Sequence, residues 1–365
     1  MAENLRLDEA EPSRELVALC TRSAGAAPTD PETDSQVFAQ IANLAVGEGL
    51  APLLGARLAA GEIAAPTDSE SRALSQELQE RYRTAARVGA ARALGAEVLQ
   101  RSLARRRIPA LLLKGAALVA TVYRDPGRRT MGDVDLLVPP ERWQEALEAA
   151  RNAGAQVVEA PQRPVSLRHF HEVHLVLPGG GLGDLHRRLT PWPLFTPDLP
   201  QLFQRARPLP GAAESDSTGA WLPAPEDLLL SLVVHAAKDG FQLPLRAVVD
   251  GLRLLAVATP DPQVVEARAR AWHARRATAR WLQMLGTFDD LGKDWQELPG
   301  RLAPKLGPLP PGFLQPPPSD LRALGARWSM RRRQAQVLDD RWRAVAYAGA
   351  TALFFLGDLV QGKRS

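Results

Sequence analysis

Two aspartates, Asp133 and Asp135, stand one residue apart, directly before the apolar stretch 136–138. The pattern predicts a strand that begins at the acids and continues into a core, and side chains two residues apart on a strand project from the same face. Two like charges held that close are costly unless a cation neutralises them, and Mg²⁺ prefers carboxylate oxygens. The spacing therefore favours a metal site. The alternative is a solvated strand end that happens to carry two acids.

A second feature, Lys114-Gly115, ends an apolar run at 110–113 and precedes a helical pattern at 116–123. Where a strand passes through glycine into a helix, free backbone N–H groups face outward, and the missing side chain lets a phosphate approach closely. Gly115 lies 18 residues before Asp133, with one predicted helix between them. We therefore expect an anion site beside the metal site, at the same edge of a small sheet.

A third acid is expected because metal-dependent phosphoryl transfer often uses carboxylates to bind two cations. The best candidate is Asp184, in a predicted strand at 183–189 where it shares a face with His186. Glu172 and His174 have the same spacing on another predicted strand and are the second choice. Both pairs are equally compatible with polar residues on a half-exposed strand.

The sequence resembles the DNA polymerase beta-type nucleotidyltransferase superfamily and, within it, the family of uncharacterised nucleotidyltransferases. Two motifs carry the resemblance: Leu-Lys-Gly-x-x-Leu at 113–118 and Arg-x-x-Gly-Asp-x-Asp-Leu-Leu-Val at 129–138. The Asp-Leu-His segment at 184–186 and the Pro-Glu-Asp-Leu-Leu-Leu segment at 225–230 are also similar to that family. The resemblance is good from about 110 to 255 and loose in the flanking helical regions.

This resemblance implies an enzyme that transfers a nucleoside monophosphate from an NTP to an unidentified acceptor and releases pyrophosphate. It also implies two Mg²⁺ ions, or Mn²⁺, bound by three acids. Ala116 stands where superfamily members have a second Gly or a Ser, so a hydroxyl contact to the nucleotide phosphate is absent. The implied catalytic and metal-binding residues are Asp133, Asp135 and Asp184, and the implied nucleotide-binding residues are Lys114, Gly115, Ala116, Arg129 and Gly132.

Two other functions remain open. Because of Ala116, the protein is alternatively a catalytically degenerate member that binds nucleotide or a partner and regulates without turnover. An Asp-x-Asp strand end also binds Mn²⁺ in sugar-nucleotide glycosyltransferases. Those enzymes lack a Lys-Gly turn at this distance and have a larger nucleotide-binding domain upstream, whereas the upstream region here has a helical pattern.

The elements that must position these residues indicate an α+β fold. We expect a small mixed-sheet nucleotidyltransferase core at 108–205 between an N-terminal helical region at 1–107 and a C-terminal helical domain at 222–365. A Pro/Gly/Ser-rich stretch at 207–225 is interpreted as a linker. In the N-terminal region a long helix after Asp68 is predicted to bury one apolar stripe. Its positions are Leu74, Leu78, Tyr82, Leu94, Val98 and Leu103.

Composition excludes several classes of protein. The chain has 365 residues, 45% of them hydrophobic and 24% charged, which is typical of a globular protein with more than one packed unit. The lone cysteine, Cys20, excludes a disulfide scaffold and a zinc site built on Cys pairs. The first residues lack a signal-peptide pattern, and the longest uncharged apolar run, 344–357, is too short to span a membrane. We expect a cytoplasmic protein without a membrane span.

The sequence does not identify the acceptor. The candidate classes are a protein, a peptide, a small molecule and a tRNA. Forty of the 45 basic residues are arginine, which is typical of coding bias in a GC-rich genome. Arg-rich runs at 266–280 and 327–343 contain Trp272, Trp281, Trp328 and Trp342, which allow base stacking. A nucleic-acid acceptor is not favoured, because tryptophans on helices more often anchor a core.

Overall fold

The computed structural model describes residues 11–21, 35–158, 171–209 and 220–310, with short stretches between 313 and 347. Within these residues one mixed sheet of seven strands has helices before, between and after its strands. The expected fold class, α+β with helical flanks, is confirmed. The strands are β1 (Ala110–Leu112), β2 (Asp133–Leu137), β3 (Gln156–Val157), β4 (Glu172–Val176), β5 (Leu182–His186), β6 (Arg207–Pro208) and β7 (Ala220–Leu222).

The order of strands across the sheet is β3-β4-β5-β2-β1-β7-β6. At its centre, β2 runs parallel to β5 and antiparallel to β1. On one side of this pair β4 runs antiparallel to β5, and on the other side β7 runs parallel to β1. The predicted strand that begins at Asp133, the one that carries Glu172 and His174 and the one at 183–189 are present as β2, β4 and β5, and the apolar run at 110–113 contains β1.

The segment interpreted as a linker, 207–225, contributes two strands to this sheet. β7 lies beside β1, with Trp221 opposite Leu111, and β6 pairs with β7 at the sheet edge. The sheet therefore continues past residue 205, where the core was expected to end. Such short strands within a Pro-, Gly- and Ser-rich stretch carry no periodicity of their own, because a strand of two or three residues is defined by its partner rather than by its sequence.

Helices precede the first strand and also lie between β1 and β3. The long helix begins after Asp68, whose side chain accepts a hydrogen bond from the backbone N–H of Ser71, as expected of an N-cap residue. After β1, a short helix continues into a π-helical turn at Val119–Tyr123, and a 3₁₀ turn at Pro140–Arg142 leads into the next helix. These helices are α1 (Glu11–Thr21), α2 (Ser35–Gly47), α3 (Ala51–Ala59), α4 (Ser69–Arg105), α5 (Lys114–Leu118) and α6 (Trp143–Asn152).

The buried face of α4 differs from the predicted stripe. Leu78 and Leu103 are buried, but Leu94 is 64% exposed and Val98 is also exposed, so their predicted burial is wrong. Small residues occupy the packed face instead, including Ala85, Gly89, Gly95 and Ala96. A side chain at Gly89 or Gly95 would collide with Pro126 or Pro178. A hydrophobicity pattern misses this face, because close backbone packing selects for small residues rather than for apolar ones.

A glycine between α3 and α4 gives a direct test of this close packing. A Cβ at Gly55 would overlap the backbone carbonyl of Leu78, and a backbone atom cannot move out of the way like a side chain. We expect Gly55→Ala to lower the free energy of unfolding by about 2 kcal/mol or more, because α3 must move away from α4. Urea denaturation measures the change. The matched control is Gly47→Ala in α2, where a Cβ meets nothing within 4 Å and stability should hold or rise. Equal effects of the two substitutions would contradict this packing.

Helices also lie between β5 and β6 and after β7. Trp272 and Trp281, which were weighed as base-stacking residues, are both buried in the core, whereas Trp342 is exposed. Trp328 lies outside the described residues, as does most of the last part of the C-terminal helical domain expected at 222–365. The helices are α7 (Leu199–Gln204), α8 (Pro225–Lys238), α9 (Leu245–Ala258), α10 (Pro262–Ala271), α11 (Arg275–Leu285) and α12 (Lys293–Leu302).

In the part of the chain that the structure describes, none of the helices has both the length and the apolar character needed to cross a membrane. Most of the apolar run at 344–357 falls outside that part.

The two faces of the sheet differ in chemistry. Side chains alternate between faces along each strand, and the register of β2, β4 and β5 aligns this alternation across all three strands. One face is apolar and buried, while the other is polar. The apolar face carries Val134, Leu136, Val173, Leu175 and Leu185, and the polar face carries Asp133, Asp135, Glu172, His174, Asp184 and His186.

Candidate active site

The three predicted acids lie together on the polar face. Asp135 on β2 pairs directly with Asp184 on the parallel strand β5, and Asp133 lies two residues before Asp135 on the same face. Asp135 is 2% exposed, and the side chain of Asp184 is 12% exposed. The apolar residues that follow Asp135 are buried, so the strand that carries the acids is anchored in the core.

Asp135 is the most heavily bonded of the three acids. Its Oδ1 atom lies 2.6 Å from Nζ of Lys114 and 2.7 Å from Nε2 of His186. Burial opposes the ionisation of this carboxyl group, but the hydrogen bond from His186 and the charge of Lys114 outweigh burial and hold the pKa of Asp135 below its usual range. Asp135 is therefore a buried carboxylate that Lys114 and His186 stabilise in its ionised form.

Lys114 reaches Asp135 from an unusual backbone conformation. Its φ of +43° lies in the left-handed region, which is costly for a residue with a side chain. The backbone N–H of the preceding residue, Leu113, donates to the carbonyl oxygen of Asp135, which holds the Lys-Gly turn against β2. The predicted proximity of this turn to the acids is therefore present, and the lysine points at the carboxylate.

The pKa of Asp133 shifts in the opposite direction to that of Asp135. Burial, together with the nearby negative charges of Asp135 and Asp184, raises the pKa of this carboxyl group, although Lys114 partly offsets the effect. Burial is the largest cause, so Asp133 is harder to ionise than an exposed aspartate, and a bound cation would favour its charged form.

The ligand atoms of Asp135, Asp184 and His186 all lie within 4.8 Å of one another, close enough for a single ion. Two carboxylates and the adjacent Asp133 form a hard oxygen-donor set that suits Mg²⁺ or Mn²⁺. His186 adds a nitrogen donor that was not predicted as a ligand. The signal for it was present, because His186 alternates with Asp184 on the same strand face. These residues fit a divalent cation.

The second-choice pair, Glu172 and His174, surrounds the same site. Nδ1 of His174 lies 2.7 Å from Oδ1 of Asp184, and its side chain is 63% exposed. Glu172 Oε2 lies 3.1 Å from Nδ1 of His186 and 3.2 Å from Nε2 of His171. Burial opposes ionisation of Glu172, but these imidazoles lower its pKa below the ordinary value. Glu172 therefore supports Asp135 through His186, which contacts both acids, and His174 contacts Asp184 directly.

Arg129, which was predicted to bind nucleotide, forms a buried ion pair with Asp250. Its Nε and Nη2 atoms donate to both carboxylate oxygens of Asp250 on α9, at 2.8 to 3.2 Å. The hydroxyl of Tyr123 donates to the same carboxylate at 2.8 Å. A Cβ at Gly115 would collide with the Arg129 guanidinium. The glycine at 115 therefore makes room for an arginine, where the sequence indicated room for a phosphate.

These residues lie in a cavity of about 410 Å³ between the polar face of the sheet and the helices α8 and α9. A cavity of this size accommodates a small ligand. Gly132, predicted to bind nucleotide, lines the cavity, and a Cβ there would meet nothing within 4 Å. Of the eight predicted site residues, seven line the cavity, and Ala116 does not. The seven are Lys114, Gly115, Arg129, Gly132, Asp133, Asp135 and Asp184.

The helical wall of the cavity contributes charged residues that sequence reasoning did not assign to the site. His235, Lys238 and Asp239 come from the C-terminal end of α8, and Arg246 comes from the first turn of α9. Burial and the neighbouring cations Lys114 and Lys238 lower the pKa of His235 well below its ordinary value. His235 follows the Pro-Glu-Asp-Leu-Leu-Leu segment that is similar to the family, whereas no motif marks Lys238, Asp239 or Arg246, which lie in or directly after amphipathic helices.

Comparison with known proteins agrees with the resemblance seen in the motifs. The sequence model of a family described as an uncharacterised nucleotidyltransferase matches residues 34–288, about 70% of the chain. This span runs from α2 to α11 and includes the whole sheet and both walls of the cavity. No match was found among the curated proteins or among the solved structures. The chain belongs to the uncharacterised nucleotidyltransferase family.

Proposed function

We propose that the protein transfers a nucleoside monophosphate from an NTP to an acceptor hydroxyl, and that Asp133, Asp135 and Asp184 are its catalytic acids. The observation that carries this proposal is the parallel register of β2 and β5. It sets Asp135 opposite Asp184, with Asp133 on the same face, on the floor of a cavity. Family membership supports the general reaction, nucleotidyl transfer.

The three acids would hold Mg²⁺ or Mn²⁺, with His186 at their side. The ligand atoms of Asp135, Asp184 and His186, all within 4.8 Å of one another, support this assignment. When bound, such ions neutralise charge on the transferring phosphate and lower the pKa of the attacking hydroxyl. The reaction also requires that the substrates be positioned and that a proton be removed, and side chains of the protein would carry out both tasks.

In the proposed reaction, the acceptor oxygen attacks the α-phosphorus, the bond from this phosphorus to the β-phosphate oxygen breaks, and pyrophosphate leaves. Asp184 accepts the hydroxyl proton, because it is the more exposed of the two facing carboxylates, while Asp135 is already bonded to Lys114 and His186. His174, bound to Asp184 and largely exposed, connects this carboxylate to solvent. Lys114 supplies positive charge beside the transferring group.

The test is transfer of label from each α-³²P NTP, in the presence of Mg²⁺, to a cell extract that contains protein, RNA and small molecules. Wild-type protein should label one pool. The Asp133→Asn/Asp135→Asn variant should label none, because its cation site loses two carboxylates. The matched control is Asp294→Asn, which removes an exposed acid of α12 that does not line the cavity and should label as the wild type does.

Equal labelling by the wild type and the double variant would contradict the proposed catalytic acids. A wild-type protein that binds NTP but labels no pool and releases no pyrophosphate would instead support the alternative, a nucleotide-binding regulator without turnover. That alternative rests on Ala116, which leaves the Lys-Gly turn without a phosphate-binding hydroxyl.

A further inference from the structure

The charges that line the cavity are mostly paired within the protein. Among the described residues, four Lys or Arg side chains line it, and three of them lie beside a carboxylate. These three pairs are Lys114–Asp135 at 2.6 Å, Arg129–Asp250 at 2.8 Å and Lys238–Asp239 at 3.8 Å.

The fourth cation, Arg246, has no carboxylate within ion-pairing distance in the described part of the chain. Its Nη1 atom donates to the hydroxyl of Thr130 at 2.9 Å, and Thr130 also lines the cavity. Burial and the neighbouring charge of Arg129 lower the pKa of Arg246, and the negative charges of Asp250 and Asp133 partly offset this effect. The direct hydrogen-bond partner of this guanidinium is neutral, so a bound anion would stabilise it further.

Arg246 is also well placed relative to the proposed catalytic acids. Arg246, Thr130 and Asp133 line the same cavity, and Gly132, between Thr130 and Asp133 in the chain, leaves open space above its Cα atom. An anion bound here would therefore lie next to the proposed cation site. Arg129 is a weaker candidate for binding an anion. Its Nε and Nη2 atoms already donate to Asp250, and this carboxylate already balances its charge.

We infer that Arg246 and Thr130 form a subsite for the polyphosphate chain of the NTP, and that Arg129 positions the turn at Gly115 without contacting the nucleotide. A planar guanidinium with several N–H donors matches phosphate oxygens, and the Thr130 hydroxyl offers a further donor at the same point. This inference rests on the proposed function for the identity of the ligand. Because the inference concerns binding, it can be tested separately from turnover.

The experiment measures the affinity of the protein for ATP, for inorganic tripolyphosphate and for adenosine by titration calorimetry, in the presence of Mg²⁺. Arg246→Gln should weaken binding of ATP and of tripolyphosphate by the same factor, about tenfold to a hundredfold, because it removes a charge-assisted contact. Adenosine has no phosphate, so its affinity should not change. Arg246→Lys keeps the charge but loses the planar donor pair and should fall between the wild type and Arg246→Gln.

The matched control is Arg81→Gln, which removes the same charge from an exposed position on α4 and should leave all three affinities unchanged. Thermal unfolding of each variant checks that the fold is intact. Unchanged tripolyphosphate affinity in a folded Arg246→Gln protein would overturn the subsite, and so would a wild type that binds neither ATP nor tripolyphosphate. If Arg246→Gln weakens binding while the wild type transfers no label, the subsite is supported and the proposed reaction is not.

Discussion

Replacing Asp184 with asparagine should lower the rate of nucleotidyl transfer by about a thousandfold while leaving the free energy of unfolding unchanged or slightly higher. The loss of rate is expected because the substitution removes both a cation ligand and the proposed proton acceptor, which together contribute several kcal/mol. Stability should not fall, because the partner of Asp184 is His174, an exposed residue whose ion pair contributes little. Removing Asp184 also relieves its repulsion of Asp133.

Asp135→Asn should abolish transfer as well but should also destabilise the protein, by about 3 kcal/mol. Asp135 is buried, and it neutralises Lys114, which is itself largely shielded from solvent. Without the carboxylate, Lys114 is left with a neutral amide at 2.6 Å, and the hydrogen bond from His186 loses its charged acceptor. Both substitutions of the two facing acids are thus expected to cost most of the activity, but only Asp135→Asn is expected to lower stability.

The measurements are the initial rate of label transfer to the pool that the wild type labels and the free energy of unfolding from urea denaturation. The Asp294→Asn control should match the wild type in both. Transfer by Asp184→Asn at more than a tenth of the wild-type rate would exclude Asp184 from the catalytic acids. Equal destabilisation by the two substitutions would contradict the contrast between an exposed and a buried partner.

The acids of the site were predictable because local sequence determines their geometry. Asp133 and Asp135 begin a strand that is otherwise apolar, so the period of two sets their common face without any tertiary information. Asp184 followed from the same reasoning applied to a second short strand, although its pairing with Asp135 depends on strand order. The overall class of the fold followed from helical patterns on both sides of these strands.

The helical wall of the cavity was not predictable in the same way. Asp250 lies 121 residues after Arg129, and nothing in the spacing of an amphipathic helix indicates that it meets the motif loop. Arg246 is one of forty arginines in the chain, so its residue type carries no signal. Only the position of α9 at the wall of the cavity gives these two residues their neighbours. The strand β7 was missed for a similar reason, since its identity comes from its pairing with β1.

Arg129→Met and Asp250→Asn should each lower the free energy of unfolding by about 3–5 kcal/mol, because each leaves a buried charge without its partner. Both side chains are almost fully buried, and two guanidinium nitrogens contact the carboxylate. Burial opposes the charge of Arg129, but Asp250 outweighs burial and raises the pKa of this guanidinium. The burial also raises the pKa of Tyr123, which donates to the same carboxylate.

The double variant Arg129→Met/Asp250→Asn should lose less stability than the sum of the two single variants, because it leaves no unpaired charge in the core. Urea denaturation of all four proteins measures the coupling. An exposed pair on α4, Arg81 and Glu77, has similar donor–acceptor contacts and serves as the control. There the single variants Arg81→Met and Glu77→Gln should each cost less than about 1 kcal/mol.

Additive losses at Arg129 and Asp250 would mean that the two residues do not act as a pair, and the assignment of Arg129 to positioning would then fail. Strong coupling would mean that the arginine of the Arg-x-x-Gly-Asp-x-Asp motif joins α9 to the turn at Gly115. In that case the motif itself holds α9 at the wall of the cavity. Arg246, one turn before Asp250 on the same helix, is then fixed at the cavity wall by the same ion pair.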